Sequence, residues 1–274
     1  MSVVAPRSFE DALAELAVEP DRHTLAGGTD LMVEVNFDHR RPESVLSLHR
    51  IAELREWATH DEQLVLGSGV TCATLERPPF TTLAPALAQA ARTVGSPQIR
   101  NAATIGGNLC TASPAGDLLP VLSALDASIV CARAAGTRTV SIHEFLLGPK
   151  RTALEVGELV ERIEIPVAQG GQEFLKVGAR NAMVIAIASV AMIATSIDVR
   201  IALGSVGPTV IRARGSERWI GERGFDPAVI DELAERVAGE ARPIDDHRSS
   251  AEYRRHAIRV CTQRAAQRIF GDGL

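Results

Sequence analysis

The chain lacks the short motifs that would name a nucleotide site or a metal centre at once. Its four cysteines, Cys72, Cys110, Cys131 and Cys261, form no C-x-x-C pair, and none has a histidine at ligand spacing. An iron–sulfur or structural zinc site held by this chain alone is therefore not expected. The same scatter gives no secreted disulfide framework, so a reducing cytoplasm is the expected compartment. There is no G-x-G-x-x-G and no G-x-x-x-x-G-K-[ST], which removes the Rossmann fingerprint and the P-loop. G-x-S-x-G and H-E-x-x-H are missing too, although His143-Glu144 begins the latter.

Positive charge is also short. Lys and Arg total 29 against 34 Asp and Glu, for a net charge of −5. A nucleic-acid partner, which a basic stripe would announce, is not expected. Basic residues do gather between Arg248 and Arg268, but Glu252 interrupts them at helical spacing, as on a solvated helix face. The start, M-S-V-V-A-P-R-S-F-E, has neither the basic opening nor the apolar core of a signal peptide. The longest apolar run, Ala182 to Ala194, is broken by Ser189 and too short to span a bilayer. Its β-branched content suits a buried strand.

What is present is a globular composition: 274 residues, 46% hydrophobic and 23% charged, enough for one large domain or two ordinary ones. One stretch stands out, Ala102 to Pro120, A-A-T-I-G-G-N-L-C-T-A-S-P-A-G-D-L-L-P. No charged side chain lies between Ile105 and Asp117. Small hydroxyl and amide residues without charge make a poor solvated loop and a good cover for a ligand rich in hydrogen-bonding groups. A second glycine pair precedes it, in L-A-G-G-T-D-L, Leu25 to Leu31. The two stretches are expected to face each other across one large phosphate-bearing ligand.

Ser8 with Asp11 three residues on approximates a capping box and opens a first helix. A strand His23–Ala26 then runs into Gly27-Gly28, and Thr29 or Asp30 can cap a second helix to about Phe37. Strand, glycine turn and helix start together expose backbone N–H groups that suit a phosphate. Strands are expected at Ser44–Leu48 and Gln63–Gly67, joined by a polar connection. A helix Leu83–Val94 is expected to stop at Pro97. Ile105–Cys110 holds too much glycine for a helix and reads as loop. Leu118–Leu125 reads as a short apolar helix with Asp117 at its first turn. Strands follow at Ala127–Ala132, Arg138–Ser141 and Leu159–Ile165, with a short helix at Ile142–Leu147. After Gly170 come strands Phe174–Ala179, Met183–Thr195 and Val199–Gly204, joined by short turns as in an antiparallel sheet. Helices at Ser216–Ile220, Pro227–Ala238 and Ser249–Phe270 close the chain. The expected class is α+β, with the main boundary near Gly170.

The two glycine stretches, in this order and spacing, resemble the FAD-binding subunit of molybdenum hydroxylases. That family includes the medium subunits of bacterial carbon monoxide and xanthine dehydrogenases. The resemblance spans essentially the whole chain. L-A-G-G-T-D-L matches a first flavin signature, and T-I-G-G-N-L-C-T-A-S-P-A-G-D-L-L-P a second, more specific one. E-L-V-E-R-I-E-I-P from Glu158, Phe174 to Lys176, A-L-G-S-V-G-P-T from Ala202, and Tyr253-Arg254-Arg255 match later segments. The resemblance implies a two-part FAD-binding fold of the vanillyl-alcohol oxidase type, residues 1–55 and 56–168, followed by a C-terminal domain, 169–274. It implies that Leu25, Ala26, Gly27, Gly28, Thr29, Asp30, Leu31 and Met32 hold the pyrophosphate and ribose through backbone N–H groups. Thr104, Ile105, Gly106, Gly107 and Asn108 would do the same from the other side. Asp117 would accept hydrogen bonds from flavin or ribityl groups, and Val160 and Lys176 would sit near the flavin ring or the adenine. One departure stands out: the family places an acid a few residues beyond Arg180, and here Asn181-Ala182-Met183-Val184 has none.

By the same resemblance, this chain carries FAD while a large partner subunit holds a molybdenum–pterin cofactor and a small one holds 2Fe–2S clusters. The complex would be a dimer of heterotrimers that passes electrons through FAD to NAD or another acceptor. Residues alone show no nucleophile–base pair, so no catalytic side chain is expected. Two alternatives stay open at this point: a stand-alone FAD oxidoreductase, using His143 or His247 as base, and a module that has lost its flavin.

Overall fold

A computed structural model describes residues 2–271. The N-terminal segment builds a three-stranded parallel sheet, Ser2–Val4, Ser44–Ser47 and His23–Leu25, with Ser44–Ser47 in the centre. The helix Phe9–Val18 covers it, and Ser8 caps that helix by accepting from Asp11 N at 3.1 Å. Ala12, Leu16, Leu46, Ile51, Leu54 and Leu159 form the small core beneath.

The next segment is a five-stranded antiparallel sheet in the order Trp57–His60, Gln63–Gly67, Leu159–Pro166, Ser128–Arg133, Gly136–Ser141. Trp57–His60 lies in the stretch expected to be a plain connection. It is an edge strand with little burial, which leaves no apolar pattern to read. The register of Leu159–Pro166 slips between Val160 and Arg162, and the carbonyl of Glu161 accepts from Ser68 N at 3.0 Å. That bulge ties the strand to the Gly67-Ser68-Gly69 turn.

The last sheet, Gly171–Val177, Ala188–Ala194, Val199–Gly204 and Ile211–Arg212, is antiparallel as expected. Every residue of Ala188–Ala194 is buried, because the sheet is covered on both faces. Val190 and Met192 point to the helices Ile230–Glu240 and Ala251–Phe270, while Ala191 and Ile193 point to the helices Pro85–Thr93 and Leu118–Ala124. The period of two thus divides one strand between two cores.

Three local expectations fail. Ile105–Thr111 is a helix, not a loop. Its glycine cost, about 1 kcal/mol per residue relative to alanine, is offset by packing: Ile105 and Leu109 are fully buried, and a Cβ on Gly106 would meet Ser68 Cβ at 2.6 Å. Pro97 does not stop a helix. The preceding helix already ends at Thr93, and Pro97 occupies the first turn of Pro97–Ala102 behind the cap Ser96. Met183–Ile187 is not strand. Arg180 Nε donates to the carbonyls of Ala182 at 3.1 Å and Met183 at 3.2 Å, which curls this segment into the tip of a hairpin closed by Ile187 N to Val177 O at 2.8 Å. Asp117 stands at the start of the helix Leu118–Ala124 as expected, but makes no side-chain capping bond; its carboxylate goes elsewhere.

Candidate functional site

The two glycine stretches do face each other. They line one cavity of about 1120 Å³ between the N-terminal sheet and the helix Ile105–Thr111. From the first stretch, Leu25, Ala26, Gly27, Gly28, Thr29, Asp30 and Leu31 reach it; Met32 does not, and stands exposed. From the second, Thr104, Gly106, Gly107 and Asn108 reach it, while Ile105 is turned into the core. Asp117 and Val160 also line it.

The walls offer different chemistry. Among the described residues, the N–H groups of Gly27, Gly28, Thr29, Asp30 and Leu31 are donated to no other group. Gly28 sits at φ +71°, the left-handed region that glycine takes without strain. This is a row of open donors beside a helix start, suited to an anion. The second wall has spent all but one of its donors, the N–H of Thr104. Ile105 N goes to Val70 O and Gly106 N to Ser68 O, both at 2.9 Å. Gly107 N goes to Thr104 Oγ1 at 3.0 Å and Asn108 N to Thr104 O at 2.9 Å. Of the backbone N–H groups expected to bind from Thr104–Asn108, four thus have acceptors within the protein: one is taken by the N-cap, one by the first helical turn and two by the Ser68–Val70 segment. What the wall presents instead is the bare face of Gly107 and the side chain of Asn108, whose Oδ1 is buried without a partner.

Asp117 is 6% exposed, and its Oδ2 accepts from Lys176 Nζ at 2.5 Å and from Thr93 Oγ1 at 3.2 Å. Lys176 Nζ also donates to Thr93 O at 3.1 Å. The lysine does not line the cavity; it is the buried partner of the acid that does. Burial pushes the Asp117 carboxyl upward against the pull of Lys176 and Thr93. Its Oδ1 is buried and unpartnered. Two acceptors on this wall therefore have no partner within the protein, and an unmade buried bond costs about 1–3 kcal/mol.

Several lining residues carried no signal in the sequence. Glu34 and Lys150 form an ion pair between the two walls, with Arg40 on the other oxygen of Glu34 at 3.0 Å. Lone charges 116 positions apart cannot be paired from one sequence. The C-terminal segment lines the cavity through Met183, Val184, Ile185 and Arg248. Among the described residues, no group of three or more His, Cys, Asp or Glu could hold a metal ion. Nor is any described helix long and apolar enough to cross a membrane.

This arrangement, an open N–H row facing a glycine face and orphaned acceptors, has known relatives. Residues 1–168 match the model of the FAD binding domain in molybdopterin dehydrogenase. The chain belongs to that family. Residues 173–269 match the model of the CO dehydrogenase flavoprotein C-terminal domain. The chain is similar to the glyceraldehyde dehydrogenase medium chain of Sulfolobus acidocaldarius, 32% identical with 98% of each chain covered. It is 31% identical to the carbon monoxide dehydrogenase medium chain of Hydrogenophaga pseudoflava, over 91% of this chain and 90% of that one. A solved structure of that organism's carbon monoxide dehydrogenase superposes with a TM-score of 0.91 at 29% identity, covering 100% of this chain and 98% of that chain. Quinoline 2-oxidoreductase of Pseudomonas putida gives 0.92 at 27% identity, covering 98% of this chain and 96% of that chain. This flavoprotein is thus the FAD-binding subunit of a molybdenum hydroxylase, an oxidoreductase with the two-part FAD-binding fold and an antiparallel C-terminal segment.

Proposed function

We propose that this flavoprotein is the electron-transfer subunit of its complex. It takes electrons from 2Fe–2S clusters on a small partner subunit and hands them to NAD or another acceptor. A large partner subunit carries the molybdenum–pterin cofactor and oxidises the substrate, and the whole is a cytoplasmic dimer of heterotrimers. Residues 1–55 and 56–168 serve as the two halves of the flavin fold and 169–274 as the C-terminal domain.

FAD, when bound, supplies the redox chemistry, accepting electrons singly and releasing a pair. The chain's residues bind and orient. The N–H groups of Gly27 to Leu31 take the pyrophosphate, with Leu25, Ala26 and Met32 shaping that turn. Gly107 lets the ligand pass close to the second wall, Thr104 and the buried Ile105 and Gly106 hold that wall in place, and Asn108 accepts from a ligand hydroxyl. Asp117 accepts from the ribityl or flavin groups through its free Oδ1, with Lys176 keeping it ionised. Val160 gives an apolar contact. The observation that carries the reading is the pairing of unused N–H donors on one wall with unpartnered acceptors, Asn108 Oδ1 and Asp117 Oδ1, on the other.

The test is anaerobic reduction of the FAD-loaded chain by the complex's substrate. Bleaching of the flavin only when both partner subunits are present is the expected result. Full turnover by the chain alone would establish the stand-alone oxidoreductase instead.

A further inference from the structure

The Tyr253-Arg254-Arg255 motif has no place in the binding account so far. Arg254 is 4% exposed, the most buried arginine on the helix Ala251–Phe270. One of its terminal nitrogens donates to the carbonyls of Ile187 and Ser205, both at 2.7 Å. The other donates to both oxygens of Asp246 at 2.8 Å. Asp246 Oδ1 in turn accepts from the backbone N–H of Arg248 at 2.8 Å and of Ser249 at 3.1 Å. One guanidinium thus pins three segments, each bearing on the cavity. Ile187 closes the hairpin whose tip, Met183 to Ile185, lines it. Ser205 N donates to Pro114 O at 2.8 Å, within the loop that leads to Asp117. Asp246 fixes the turn that carries Arg248 into the lining.

These tethers join, through one guanidinium, the segments that carry Arg248, the apolar tip and the loop leading to Asp117, all of which line the cavity. Arg248 brings a positive charge there, and its guanidinium makes no ion pair among the described residues. The phosphate-type donors stand on the other wall, at Gly27 to Leu31. Arg40 and Lys150 in the same lining are paired with Glu34, and Arg55 donates to His49 O at 2.6 Å. An apolar surface tethered to an unpaired cation suits a ring that is apolar on one side and gains negative charge on the other. The flavin ring does so on reduction, along N1 and the C2 carbonyl, whereas adenine stays neutral in both states.

We propose that Arg248 contacts the pyrimidine edge of the bound flavin and stabilises the negative charge that reduction puts there, and that the Asp246–Arg254 clamp positions it. The proposal rests on the FAD reading above. Arg248 touches the cofactor; Arg254 and Asp246 are positioning residues.

The experiment uses the full chain loaded with FAD, and the variants Arg248→Met, Arg248→Lys and Asp246→Asn. Three quantities are read: the affinity for FAD, the midpoint potential by dye-equilibrated titration, and the affinity for sulfite. Sulfite adds to oxidised flavin and leaves negative charge on the same edge. Arg248→Met lowers the potential and weakens sulfite binding about tenfold, the scale of one charge-assisted hydrogen bond. FAD affinity stays within about threefold. Arg248→Lys recovers most of the sulfite affinity. Asp246→Asn shifts potential and sulfite binding in the same direction by less. Unchanged potential and sulfite affinity in Arg248→Met would overturn the proposal. So would a large loss of FAD affinity at unchanged potential, which would make Arg248 a phosphate contact. Lower melting temperature with unaltered sulfite affinity in Asp246→Asn would overturn the positioning role. A wild-type chain that binds no FAD would instead sink the FAD reading itself.

Discussion

The two glycine pairs look alike in sequence and work differently. A Cβ on Gly27 would lie 1.8 Å from the carbonyl oxygen of Ala102, so this glycine lets one wall of the cavity touch the backbone of the other. Gly28 turns the chain at positive φ, and the N–H groups that follow stay open. Gly106 likewise serves the protein's own packing, against Ser68. Gly107 is different. The nearest atoms to a Cβ there would be Thr104 Oγ1 at 3.0 Å and Ala26 Cβ at 3.9 Å, in the gap between the walls. The lesson is that a glycine pair can hold the seam of a site or open its floor. Only the second use is a direct statement about ligand.

That contrast can be broken by substitution. Gly27→Ala gives the largest expected effect, a loss of about 3 kcal/mol of stability from backbone overlap, with FAD binding lost alongside. Thermal and urea unfolding of the apo chain measure it; a stable Gly27→Ala protein would mean the seam is elsewhere. Gly107→Val is expected to raise the Kd for FAD about 100-fold, or about 3 kcal/mol. Apo stability should fall by about 1 kcal/mol: valine is no worse than glycine in a helix, but its Cβ crowds the capping Thr104 Oγ1 at 3.0 Å. Thr104→Ala removes the cap on Gly107 N and should cost about 1 kcal/mol of stability, with a smaller loss of FAD than Gly107→Val.

The smallest effect is a control away from both pairs. Asp126 is partly buried, which opposes its ionisation, yet His143 Nε2 at 2.8 Å and Arg212 Nη1 at 2.6 Å hold its carboxyl down at about 2. A depressed acid contributes stability above its unfolded value, about 3.9, and loses it as pH falls through the folded one. Asp126→Asn should cost about 1 kcal/mol or less at pH 7, since the carboxylate is more than a third exposed and screened. The difference should vanish as pH is lowered towards 2. FAD affinity should not move.

Much of this was readable from the chain alone, for physical reasons that differ by element. The central strand of the last sheet, Ala188–Ala194, announces itself by an apolar, β-branched run interrupted only at Ser189. Ser8 announces its helix by a local side-chain bond, and the cavity-facing glycines by the absence of charge around them. The helix Ile105–Thr111 did not, because its stability comes from tertiary contacts with Ser68 and Val70 that no local propensity encodes. Lys176 was placed beside the ligand, but its amine is one step back, on Asp117. A residue that acts through its neighbour carries the same sequence signal as one that touches the ligand. The Glu34–Lys150 pair and the Arg254 clamp were invisible for a simpler reason: they join segments far apart in the chain, and pairing is decided only by the fold.

The central claim is that the open N–H row and the Gly107 face together form a FAD site. Titration of the folded apo chain with FAD, followed by flavin fluorescence, tests it most directly. Saturation at one FAD per chain is expected, with binding weakened about 100-fold in a Gly107→Val protein that remains folded. A folded wild-type chain that leaves flavin fluorescence unchanged, or a Gly107→Val chain that binds FAD as tightly, would contradict it.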